Sequence, residues 1–199
     1  PPPRRPITVN VSSQNDAPTA SGLPTDVTVT EDVASNLDLS AVTLADLDSA
    51  GSITVTLTAS AGTLTATSDG GVTVTDSGTG AITLTGTATA IDTFLNTAAS
   101  VQYTGALNAS GDNAATVTVS ADDGSGLVTL GEVDVDITPV IDPPELSGFA
   151  PSVTFAENTV NTTPQLLDAD VIFTDSDGDF NGGALTLTGL LAEDTVSVR

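Results

Sequence analysis

The sequence contains no cysteine, histidine, methionine or tryptophan. Disulfide frameworks, zinc and haem ligation, and thiol or imidazole catalysis are thereby removed together. Lysine is absent too, and three arginines (Arg4, Arg5 and Arg199) face 26 acidic residues, for a formal charge of −23. Phosphate binding needs cations that this chain lacks, so nucleic acid is excluded as a partner, and anionic membrane surfaces with it. No apolar run is long enough to span a bilayer, and the first residues do not resemble a signal peptide. Targeting information is therefore expected outside this segment, if it exists. Aromatic residues make up 3% of the chain, so Phe94, Tyr103, Phe149, Phe155, Phe173 and Phe180 are all expected in the core.

A compact domain with this much like charge repels itself unless bound cations neutralise it or high external salt screens it. Both conditions point to an extracellular or cell-surface location.

What the chain does have is threonine alternating with apolar residues, and a repeat. Val133, Val135 and Ile137 alternate with Asp134, Asp136 and Thr138 ahead of the proline-containing hinge Asp142-Pro143-Pro144. A near copy, Ile7-Thr8-Val9-Asn10-Val11, precedes the hinge Asn15-Asp16-Ala17-Pro18. The period of two describes a strand with one dry face, and the prolines cannot extend a ladder. Asp16 and Asp142 lie 126 positions apart, as do Glu31 and Glu157, and two anchors at one offset indicate a tandem repeat. The expected domains are a last strand and linker of a preceding repeat over 1–15, a complete repeat over 16–142, and the opening part of another over 143–199. Within the complete repeat, strands are expected at 27–30, 37–44, 53–58, 63–67, 72–75, 82–85, 101–104, 115–120 and 127–138. Asp69-Gly70-Gly71, Asp76-Ser77-Gly78 and Asp123-Gly124-Ser125-Gly126 read as hairpin turns. In the last part, strands are expected at 153–156, 166–173, 184–187 and 195–198. Ile91, Phe94, Leu95 and Ala98 recur at helical spacing behind Thr89 and Asp92, which predicts one short helix over 89–98. The fold class is all-β, with tandem Greek-key sandwich repeats.

The acidic doublets carry the candidate chemistry. Asp46-Leu47-Asp48 follows a strand, Asp122-Asp123-Gly124 follows another, and Asn15-Asp16 forms the hinge; in a sandwich these loops can converge at one end. Carboxylates and an amide carbonyl are the hard oxygen donors that Ca2+ takes six to eight of, whereas Mg2+ keeps its waters and demands a stricter octahedron. Asp175-Ser176-Asp177 occupies the place of Asp46-Leu47-Asp48 in the second copy, after a three-residue insertion. Asp69, Asp76 and Asp112 are read instead as turn residues capping their own backbone. Neither an EF-hand loop nor the glycine-rich nonapeptide of calcium-binding β-rolls is present.

The strand followed by Asn-Asp-Ala-Pro, the Thr-Glu-Asp and Ala-Glu-Asn strand ends at Glu31 and Glu157, the Asp-x-Asp loop and Ala121-Asp122-Asp123-Gly124 together resemble the cadherin-like tandem repeats of giant bacterial surface and secreted proteins, including adhesins of the RTX type. The resemblance spans nearly the whole chain. It implies calcium at the junctions of repeats: Asn15, Asp16, Asp46, Asp48 and Asp122 or Asp123 at the first, and Glu31, Asp142, Asp175 and Asp177 at the second. The second hinge departs from the pattern, with Ile141 where the first has Asn15, and no Asp-Arg-Glu motif is present. The implied role is a calcium-stabilised stalk or adhesive module whose partners are neighbouring repeats, a homopolymer or a cell surface. A self-assembling subunit of a filament, sheath or surface layer is the alternative. A glycosidase using two carboxylates is disfavoured, since nothing cationic tunes them and few aromatics could stack on a sugar.

Overall fold

The computed structural model describes the chain except residues 1–3, 13, 49–50, 179–183, 191 and 198–199. The chain divides into two compact units, Pro1–Val140 and Ile141–Arg199.

In the first unit the strands are β1 (Thr19–Ser21), β2 (Asp26–Thr30), β3 (Ser35–Asn36), β4 (Thr43–Ala45), β5 (Ile53–Ala59), β6 (Thr63–Ala66), β7 (Thr73–Thr75), β8 (Ala81–Gly86), β9 (Val101–Thr104), β10 (Gly111–Asp122) and β11 (Val128–Thr138). One helix, α1 (Ala88–Leu95), lies between β8 and β9. A six-stranded sheet runs β2-β11-β10-β5-β8-β7, a three-stranded sheet runs β3-β9-β6, and β1 pairs with β4. All these pairings are antiparallel except β11 with β2, which is parallel. Alternation explains the core directly. Ile53, Val55 and Leu57 of β5, Val117, Val119 and Ala121 of β10, and Val133, Val135 and Ile137 of β11 all turn inward. They form one hydrophobic cluster with Leu64 of β6, Val101 and Tyr103 of β9, and Ile91 and Leu95 of α1. The outward positions are mostly threonine, whose β-branched side chain suits a pleated surface.

Several expected elements come out differently. The strand expected over 37–44 is broken, because the Asp38 carboxylate accepts the Ser40 N–H at 3.0 Å and the Val42 N–H donates to the Leu39 carbonyl at 2.9 Å. That local turn takes backbone groups that a ladder would need. The helix starts earlier than expected: Thr87, not Thr89, is its N-cap, accepting the Ala90 N–H at 3.2 Å. Asp92 reaches outside the helix, its Oδ1 accepting the Leu44 N–H at 2.8 Å. The turns at Asp76 and Asp123 do join paired strands, β7 to β8 and β10 to β11. Asp69-Gly70-Gly71 is also a tight turn, closing an isolated antiparallel bridge of Asp69 with Val72, and it carries the chain from the three-stranded sheet to the six-stranded one. Asp112 belongs to β10 rather than to a turn. Residues 7–11 are expected to be a strand but are exposed and outside any sheet.

The second unit contains β12 (Glu145–Ser147), a four-residue helix α2 (Glu157–Val160) and β13 (Ile172–Thr174), with β12 antiparallel to β13. Of the strands expected there, only the end of 166–173 forms. Residues 153–156 and 184–187 are irregular, as is the described part of 195–198, and β12 and α2 were not legible beforehand. None of its described residues is buried, so Phe149, Phe155 and Phe173 are exposed rather than core as expected, while Phe94 and Tyr103 are buried. Phe180 lies outside the described residues.

Candidate functional site

The hinge, the loop after β4 and the β10–β11 hairpin meet in the first unit. Asn15 Nδ2 donates to Asp123 Oδ2 at 2.8 Å, and the Asp16 N–H donates to Asp48 Oδ2 at 3.1 Å. Within each loop the first carboxylate folds back on its own backbone. Asp46 Oδ1 accepts the Asp48 N–H at 3.3 Å, and Asp122 Oδ1 accepts the N–H groups of Gly124 and Gly126 at 2.7 and 3.3 Å. Asp123 Oδ1 takes both the N–H and the hydroxyl of Ser125, at 2.8 and 2.6 Å. The Ser125 bonds, with the Asn15 amide, hold the Asp123 carboxyl below the usual aspartate range. Asp46 Oδ2 is shielded from solvent. The hinge is thus joined to each of the other two loops by one hydrogen bond, through the Asn15 side chain to Asp123 and the Asp16 backbone to Asp48, while Asp46 and Asp122 bond backbone N–H groups of their own loops. Among the described residues no three carboxylates stand at metal-ligand spacing. The donor set is all oxygen, which is the chemistry Ca2+ takes.

The same geometry recurs in the second unit. The Asp142 N–H donates to Asp177 Oδ2 at 2.6 Å, and the Asp177 N–H donates to Asp175 Oδ1 at 3.0 Å. Ser176 Oγ adds a bond to Asp142 Oδ2 at 2.8 Å. The β12–β13 register pairs Leu146 with Phe173, as β1–β4 pairs Ala20 with Leu44. Gly22 and Gly148 hold matching backbone angles, φ 74° and 73°. A Cβ on either would sit 2.2 or 2.3 Å from a carbonyl oxygen, of Ala41 or Asp170.

Glu31, expected at the second junction, is engaged by backbone groups of its own unit. It is buried, and its Oε2 accepts the Val140 N–H at 2.9 Å, while its own N–H donates to the Thr138 carbonyl at 3.0 Å. It therefore ties the end of β2 to the end of β11.

A second acidic group was missed in the sequence. Asp26 of β2 lies opposite Asp134 of β11, and Asp136 follows two positions on. Asp112 of β10 is pushed above the usual aspartate range, first by the negative charge of Asp136 and then by a hydrogen bond between the two carboxyls. Asp134 Oδ1 accepts the Thr116 hydroxyl at 3.2 Å, and Asp136 Oδ1 accepts the Asn113 N–H at 2.8 Å. The only signal for it was the spacing of Asp134 and Asp136 on one face of a strand.

No family model, curated protein or solved structure matches the chain. Among the described residues no helix is long and apolar enough to cross a membrane.

Proposed function

We propose that this chain is a calcium-stabilised structural repeat module of a long extracellular bacterial surface protein, serving as a stalk or spacer. On this reading the six-stranded and three-stranded sheets of the first unit form a Greek-key, cadherin-like sandwich, and the second unit opens the next repeat. The observation that carries it is the recurrence, in both units, of a hinge aspartate whose N–H is held by the second carboxylate of an Asp-x-Asp loop. Such a loop presents carboxylates beside the hinge, where a cation would both neutralise them and stiffen the joint. In the first unit Asn15, Asp16, Asp46, Asp48, Asp122 and Asp123 would hold the ion. Asp142, Asp175 and Asp177 would do so in the second, with Glu31 supporting the strand that leads into the hinge. An enzymatic reading has less support: the hollow between β6 and α1 is lined chiefly by threonine and serine, with Asp69 as its one ionisable group.

The test is thermal unfolding with calcium and with chelator. A ligand at about a hundred times its dissociation constant that binds only the folded state adds roughly 2.7 kcal/mol per site. Replacing Asp46 and Asp48 by Asn should remove that gain. A melting temperature indifferent to chelation but raised by sodium chloride would instead assign the neutralisation to screening.

A further inference from the structure

A hollow of about 620 Å³ lies between β6, the turn that follows it, and α1 with the segment leading into β9. None of its walls belongs to the hinge or to an Asp-x-Asp loop. Its polar lining separates into two sets. Ser68, Ser77 and Thr93 are engaged by the fold. Ser68 Oγ accepts the Val74 N–H at 2.9 Å, Ser77 Oγ accepts the Ala66 N–H at 3.1 Å and donates to the Ala66 carbonyl at 2.9 Å, and the Thr93 hydroxyl donates to the Thr89 carbonyl at 2.8 Å. The side chains of Thr65, Thr67, Asp69, Thr97, Ser100 and Gln102, by contrast, make no hydrogen bond among the described residues. Thr65 and Gln102 stand opposite one another in the β6–β9 register, and Asp69 opens the turn that closes on Val72. The hollow therefore presents four hydroxyls, an amide and one carboxylate, with Ala66, Ala90, Ala99 and Phe94 as its apolar part.

We propose that this hollow binds a neutral oligosaccharide. An anionic ligand would meet Asp69 with no cation in the lining, in a chain of net charge −23. An extended peptide would need a free strand edge, but the outer backbone of β6 is taken. The Leu64 N–H donates to the Thr79 carbonyl and the Gly78 N–H to the Leu64 carbonyl, both at 2.8 Å, and Ser77 holds both backbone groups of Ala66. A flat apolar ligand would need an apolar pocket, and Phe94 is only 9% exposed. A neutral sugar fits what is free. Each of its hydroxyls donates and accepts, as those of threonine and serine do, and the Asp69 carboxylate has two oxygens with which to accept from neighbouring hydroxyls. Its C–H faces can rest on the three alanines.

The site does not rest on the calcium reading. Melting in calcium and in chelator reports the hinge, whereas sugar binding is read at other residues, so the two ideas fail separately. The test is a nuclear magnetic resonance titration of the isotope-labelled 199-residue chain. Maltose, lactose and diacetylchitobiose are each added to about 10 mM, which covers weak single-site binding, with digalacturonate as the anionic counterpart. At least one neutral disaccharide should shift the amides of residues 65–70, 93–97 and 100–102 saturably, and digalacturonate should not. Asp69→Ala and Gln102→Ala remove side chains free of internal bonds, and each should weaken that binding about tenfold without changing the melting temperature. Asp69→Asn, which keeps one acceptor oxygen, should lose less than Asp69→Ala. Shifts absent with all three neutral sugars, binding that survives both alanine substitutions, or equal shifts with digalacturonate would overturn the proposal.

Discussion

Two carboxyl groups behave in opposite ways because their surroundings differ. Glu31 is buried, and its Oε2 holds the Val140 N–H at the end of the β2–β11 pair. Glu31→Ala leaves that donor without its acceptor, which costs about 1–3 kcal/mol for a shielded group. Urea unfolding in chelator should show the loss, and Glu31→Gln should recover most of it, because an amide oxygen can still accept. A cost that appears only with calcium present would make Glu31 a metal-site residue instead. Asp112 is exposed and crowded by Asp136, which raises its pKa in the fold. Its ionisation therefore opposes folding: the penalty is absent below the ordinary aspartate pKa of about 3.9 and complete once the pH has risen through the higher folded value. Asp112→Asn should accordingly raise the melting temperature at neutral pH and leave it unchanged near about pH 3. Asp123 has the opposite sign, since its lowered pKa lends stability above the ordinary value that fades as the pH falls through the folded one.

At the scale of elements, the crossing of β1 over the turn before β4 depends on one glycine. Gly22 sits at φ 74°, and a Cβ there would meet the Ala41 carbonyl oxygen at 2.2 Å. The left-handed conformation alone costs a side chain about 1–2 kcal/mol, and the clash adds to it. Gly70 is the control, with φ 58° and nothing within 4 Å of its Cβ position. Denaturation should find Gly22→Ala more damaging than Gly70→Ala; equal losses would mean that the contact with Ala41 does not matter. The same comparison shows what sequence can carry. Strands β5, β10 and β11 were legible because alternation alone decides which side chains turn inward. The break in 37–44 was not, since Asp38 can serve a strand or an Asx turn, and only packing of Leu37, Leu39 and Val42 selects the turn. Thr87 and Thr89 are equally good caps by type, and Asp92 resembled a capping partner while its real acceptor role is to β4, a contact distant in sequence. Likewise the loops bearing Asp46, Asp48, Asp122 and Asp123 announced themselves as doublets after strands. The group of Asp26, Asp112, Asp134 and Asp136 did not, because it exists only through the register of three strands, one of them parallel, and alternation looks the same in either direction.

At the scale of the whole molecule, burial among the described residues is confined to one of the two units. The first unit holds every buried residue described, while its counterparts in the second are exposed: Leu44 is buried and Phe173 is not, although β4 and β13 pair in the same register with β1 and β12. The difference lies in what covers them. Leu44 shares a hydrophobic cluster with β5, β8, β10 and β11, and its N–H is held by Asp92 of α1; the described residues of 141–199 supply no equivalent strands. A unit that short and open cannot offset the conformational entropy of ordering its chain. Unfolding enthalpy measures how much of the chain is cooperatively ordered, at about 0.7 kcal/mol per residue near 60 °C. If the cooperative body runs from Asp16 to Thr138, calorimetry below any assembly concentration should give about 85 kcal/mol, against about 140 kcal/mol if all 199 residues melt together. Amides of β5, β10 and β11 should then exchange only through that single transition, while those of residues 141–199 exchange at rates near those of an open chain. An enthalpy near the higher figure, with slow exchange in β12 and β13, would show that the second unit is stabilised by contacts of its own.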